Sequence, residues 1–140
     1  MGKINLGKVL IGGIAGGIVG FILGGVIHMG LFKAASDAMV SSGMCKAATN
    51  DVLAMEFVRC ALLAILGTYT YALARPRLGA SVASAVQVSL LVAVIVALSG
   101  WVGMMIWSSM PMAGDMMNLH LIASVIPFVA TFVGAWIYKD

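Results

Sequence analysis

The side chains in this chain that could do chemistry are few. His28 follows a run of glycines, Glu56, Arg59 and Cys60 fall within about one helical turn, and His120 closes the methionine-rich string "SSMPMAGDMMNLH". Glu56 and Arg59, three residues apart, share a helical face and can form an intramembrane polar pair in which each charge lowers the membrane cost of the other. Cys60 lies four residues beyond Glu56 on that face. The structural reading is an ion pair. The functional reading gives Glu56 a proton or a cation to carry and Arg59 an anion to position. A lone histidine near a membrane edge is most often a packing or interfacial residue, yet imidazole is also the side chain best suited to ligate a metal or pass a proton.

Two cofactor chemistries fit these residue types. Apart from Met1, the methionines fall in the expected outer half or its loops, together with His28, Cys45, Cys60 and His120. Thioether, thiolate and imidazole suit a soft ion such as Cu(I), which makes His28, Cys45, His120, Met29, Met112, Met116 and Met117 a candidate copper shell. Methionine packing at irregular membrane interfaces is the plainer explanation of the same residues. Alternatively, His28 and His120 could face each other across haem or another porphyrin, with the glycines letting a flat ring approach the first helix. Cys45 and Cys60 permit a disulfide if their side is oxidising. No nucleophile or cofactor motif converges with Glu56, so catalysis is not expected.

The elements that must position these residues are transmembrane helices. The chain has 140 residues, 62% of them apolar and 9% charged, with a mean hydropathy of +1.10. Lipid must cover much of such a surface. Spans are expected at about 4–31, 52–74, 80–107 and 116–138, each long enough at ~20 residues to cross a bilayer. The connections are outer loops at 33–50 and 108–115 and a short inner turn at 75–79, where Arg75, Pro76 and Arg77 cluster. Phe32, Ala35 and Met39 have loose amphipathic spacing within the first loop. The first apolar run continues well beyond Lys8 without an Ala-x-Ala site, so it reads as a retained helix rather than a signal peptide.

Gly12, Gly16, Gly20 and Gly24 recur every four residues, with Gly13 and Gly17 beside them. At ~100° per residue they form a curved strip that permits close helix packing, within the chain or across a homodimer. His28 continues the same series. In the last span Pro127 can bend the helix, because it removes a backbone donor and crowds the preceding turn.

The fold class expected is all-α: an antiparallel four-transmembrane-helix bundle forming one membrane domain, with both termini cytoplasmic. Lys3, Lys8, Arg75, Arg77 and Lys139 against Asp140 leave +4 on the inner side. Lys33 and Lys46 against Asp37, Asp51 and Asp115 leave −1 outside, and the two recover the net +3. This follows the positive-inside rule. The basic balance thus reads as membrane orientation, with no aromatic-basic pattern for nucleic acid.

At "INLGKVLIGGIAGG", "YALARPRLG" and "GAWIYKD" the chain resembles a group of small uncharacterised bacterial integral membrane proteins. That resemblance implies a single-domain four-span bundle in the bacterial cytoplasmic membrane and carries no catalytic assignment onto His28 or Glu56. The default function is a structural or assembly subunit, or a homo-oligomer. Copper handling or porphyrin binding is the alternative, and a small transporter is a further one.

Overall fold

The computed structural model describes residues 4–107 and 114–139. Its helices are α1 (Leu6–Gly25), α2 (Lys33–Ser41), α3 (Asn50–Leu78), α4 (Val82–Trp107), α5 (Asp115–Ala123) and α6 (Val125–Lys139), with a π-helical segment, Val26–Leu31, continuing α1. Four stretches are long and apolar enough to cross a membrane: Leu6–Leu31, Asn50–Leu78, Val82–Ile106 and Met117–Tyr138. The protein is therefore an all-α, four-span bundle of membrane type.

Burial is distributed as lipid solvation requires. Leu10, Ile14 and Ile18 on α1, Leu62 and Leu66 on α3, and Leu90, Leu91 and Ile95 on α4 point outward. The interior holds Ala64, Thr68, Ala72, Ala85, Ser89, Ala130, Thr131 and Ala135 instead. Small interior residues let helix backbones approach closely, which is how bundles cohere when apolar burial offers little advantage over lipid. Two of the buried hydroxyls are satisfied within their own helices: Thr68 Oγ1 donates to the Ala64 carbonyl and Ser89 Oγ to that of Ala85, each at 2.7 Å.

α3 and α6 meet along the middle of the molecule, with α1 packed on both from one side and α4 packed on both from the other. The glycines explain the α1 side. A Cβ on Gly12 would sit 2.6 Å from the Gly134 carbonyl oxygen, and one on Gly16 would collide with the Ala130 carbonyl, both on α6. On Gly13 and Gly17 it would come within 2.5 Å of the Cα atoms of Ile65 and Ala61 on α3. Gly20 is tight against Ala130 Cβ at 3.1 Å, whereas Gly24 has only an ordinary contact with Ile126 at 3.6 Å. α1 is thus a wedge with two glycine edges. Across the spine, the spaces at Gly67 and Gly134 are taken up by Thr131 and Thr68 respectively.

One end of the bundle gathers the start of α1 and the ends of α3 and α6. Asn5 caps α1 by accepting from the Lys8 N–H at 3.0 Å, and its own N–H donates to the Tyr138 hydroxyl at 3.3 Å. Tyr138 packs edge-on against Tyr71, with the Arg75 guanidinium 5.7 Å over its ring. Val9, Ala72, Ala85, Val88 and Ala135 complete this core.

The expected inner turn at 75–79 is corrected here. Helix α3 runs through Pro76 to Leu78, and the reversal begins at Gly79, whose φ of 81° suits a residue without Cβ. Near a helix end, the chain forfeits only one ladder bond to Pro76. Ser81 then caps α4 by accepting from the Ser84 N–H at 3.1 Å.

The opposite end is closed by α2. The segment expected as an outer loop at 33–50 is helical over Lys33–Ser41, and Ala35 and Met39 bury against Ile27, Leu119 and Ile126. Gly43, at φ 76°, ends that helix. Most of the second expected outer loop, 108–115, lies outside the described residues.

Candidate functional site

At the α2 end the four spans line a half-open cavity of about 250 Å³. His28 enters from the π segment, Arg59, Cys60 and Leu63 from α3, Val96, Ala97, Gly100 and Trp101 from α4, and His120, Ser124 and Pro127 from the α5–α6 span. The two histidines, at positions 28 and 120 of the 140-residue chain, therefore line one space.

Each contribution has a local cause. The π segment interrupts α1 where Gly24, Gly25 and Gly30 provide little side-chain support for the regular ladder, and its wider turn is closed by the Phe32 N–H donating to the Ile27 carbonyl at 2.9 Å. Ile27 turns into the α2-end core while His28 reaches the cavity. Single π turns inside α-helices recur at functional sites. In the fourth span the helix breaks at Ser124, between α5 and α6. Pro127 has no N–H to offer the Ala123 carbonyl and its ring crowds it. Ser124 bridges the break, its N–H and its Oγ both donating to the His120 carbonyl, at 3.1 and 2.7 Å.

On α3, Arg59 and Glu56 form a two-point pair. Arg59 Nε donates to Glu56 Oε2 at 2.7 Å and Nη2 donates to Oε1. The Cys60 thiol lies 3.6 Å from Glu56 Oε1. Arg59 and Cys60 line the cavity, whereas Glu56 stands behind Arg59 and does not.

The candidate copper shell does not gather at this point. Of its seven residues, His28 and His120 reach the cavity. Cys45 is an exposed free thiol in the segment after α2, Met29 is half exposed, and neither Met29 nor Met117 lines the cavity. Met112 lies outside the described residues, as does the side chain of Met116. Among the described residues, no group of three His, Cys, Asp or Glu side chains is placed to hold a metal ion. Cys60 is likewise a free thiol, buried and without a disulfide to Cys45. Met39 serves as core filler instead.

A porphyrin does not fit either. The space lies below the roughly 300–1,000 Å³ of an ordinary small-molecule pocket. The glycine strip that would have admitted a flat ring is occupied by the backbones of α3 and α6.

Trp101 and Ala97 were not anticipated as lining residues. With Val96 and Gly100 they repeat on one helical face, but in an all-apolar span that pattern is indistinguishable from packing.

Comparisons with protein-family models, with curated proteins and with solved structures gave no match.

Proposed function

We propose that this protein is a small ligand-binding bundle of the bacterial cytoplasmic membrane, working through the cavity at its α2 end. The observation that carries the reading is the convergence of His28, Arg59 and His120, from three spans, on one space. Packing alone does not call for three such side chains at membrane depth, where ionisable groups are costly. The charge distribution supports an orientation with both termini and the Arg75 end cytoplasmic, which puts the cavity toward the outer face.

A filled cavity tests the reading. A Cβ on Gly100 meets nothing within 4 Å, so Gly100→Leu adds bulk to the lining without a backbone clash. Thermal unfolding of the detergent-purified protein against a panel of small anions, cations and neutral solutes should show stabilisation of the wild type by one class, and none of the variant. A ligand present at about 100 times its Kd stabilises by about 2.7 kcal/mol. An equal response in both proteins, or no response in the wild type, counts against the proposal.

A second reading, assembly with another copy or another subunit, is favoured by one observation. The glycine edges of α1 are occupied within the chain, but Gly103 on α4 has nothing within 4 Å of where a side chain would begin. Such an opening admits a neighbouring helix. Gly103→Cys in native membranes should then give an oxidatively crosslinked dimer in a Cys45→Ser/Cys60→Ser background. A monomer band alone would remove the homo-oligomer version.

A further inference from the structure

We infer that the cavity is an oxyanion site, holding a phosphate or carboxylate group on the guanidinium edge of Arg59 that Glu56 leaves open. The inference rests on the ligand-binding reading above and narrows it to one class of charge.

The polar inventory of the lining decides the sign. Arg59 and Trp101 can only donate hydrogen bonds and each imidazole has at least one N–H, whereas the Cys60 thiol is directed to Glu56. Ser124 Oγ already directs its proton to the His120 carbonyl. Among the described lining residues there is no carboxylate. A cation entering this space would meet the Arg59 guanidinium first, with the compensating Glu56 carboxylate behind it and off the lining. An oxyanion would meet a donor on several sides.

The Glu56–Arg59 geometry gives the two residues different tasks. Glu56 occupies Nε and one Nη2 hydrogen, leaving the other Nη2 hydrogen side by side with one Nη1 hydrogen on the end edge. Two parallel N–H groups on that edge match two oxygens of a carboxylate or phosphate. Glu56 is therefore a positioning residue, holding the plane of the guanidinium, and Arg59 is the anchor. Because Glu56 also offsets the Arg59 charge, the unliganded pair is tolerated at this depth.

Size limits the ligand. At ~30 Å³ per water, the space equals about eight waters, enough for an inorganic oxyanion, a short carboxylate or the phosphate of a lipid headgroup. Leu63, Val96, Ala97 and Ala130 line the remainder and suit a short apolar portion. The Arg59 side chain is 53% exposed, so the anchor is reachable from outside the bundle. The same oxyanion can thus come free from the aqueous side or attached to a lipid.

The experiment separates those sources. The full-length protein is unfolded thermally with inorganic phosphate, acetate, choline or glycerol, in detergent at ionic strength matched with chloride. In parallel it is unfolded in phosphatidylcholine nanodiscs with or without phosphatidylglycerol. A free oxyanion is indicated if phosphate or acetate raises the wild-type Tm, and a lipid headgroup if only phosphatidylglycerol does. In either case the affinity should fall about tenfold or more in Glu56→Gln/Arg59→Gln, which removes the anchor without stranding its partner, and in His28→Gln and His120→Gln, while Lys33→Gln, at the exposed ion pair of α2, should respond as wild type. If choline or glycerol stabilises instead, and Gly100→Leu abolishes that response, the cavity binds a ligand but the oxyanion assignment is overturned. An oxyanion response retained in Glu56→Gln/Arg59→Gln also overturns it. No response to any probe overturns both this inference and the cavity reading.

Discussion

Individual residues in the interior are judged by whether their polar atoms have partners. The Tyr71 side chain is fully buried, and its hydroxyl has no hydrogen-bond partner among the described residues. A buried unpartnered hydroxyl costs about 1–3 kcal/mol. Tyr71→Phe keeps the edge-on contact with Tyr138 and should leave stability unchanged or raise it by about 1 kcal/mol, read from thermal unfolding in detergent. A clear loss would mean that the hydroxyl has a partner. Residue-scale legibility was uneven. The Glu56–Arg59 pair was readable because a three-residue spacing fixes its geometry within one helix. That Cys60 would reach the cavity while Cys45 would not depends on where α2 ends, which spacing does not record.

At the scale of elements, α1 is held by where its side chains are missing. Gly16→Ala would drive a methyl into the Ala130 carbonyl, which belongs to a helix backbone and cannot swing away. It should cost about 1–3 kcal/mol, as overpacking of a close interior does. Gly24→Ala, with its nearest contact a flexible Ile126 terminus at 3.6 Å, should be neutral. Comparing the two Tm values tests the wedge directly, and an equal effect would contradict it. The four-residue glycine period made the strip visible in sequence, with His28 continuing it, whereas its contact with α6 was not readable there. The π segment was not legible, since glycines weaken a ladder without specifying which irregular turn replaces it. The break at Ser124 was half legible: Pro127 announced a bend, and its position three residues earlier follows from the proline's clash with the turn before it. Helix α2 was missed as more than a weak amphipathic signal because its stability comes from tertiary burial of Ala35 and Met39 rather than from propensity.

For the whole molecule, four spans were readable from length and hydropathy alone, but their arrangement was not. Which helices form the central pair depends on facing small residues such as Gly67 with Thr131 and Thr68 with Gly134, and such complementarity is spread over two distant segments. Orientation is testable with the native cysteines. Cys45 is exposed at the α2 end and Cys60 is buried. In intact cells a membrane-impermeant maleimide should label the protein, Cys45→Ser should abolish that labelling, and Cys60 should react only after denaturation. Labelling that requires cell lysis would reverse the proposed orientation.

The two glycine edges also set an order of events during synthesis. α1 is made before both of its partners, α3 and α6, with α4 and α5 made between those two. Until α6 is inserted, one edge of α1 faces lipid with bare backbone where a neighbour belongs. Assembly is therefore staged: α1 can close its Gly13–Gly17 edge on α3 as soon as that helix is inserted, while its Gly12–Gly16 edge stays open until Val125–Lys139 arrives.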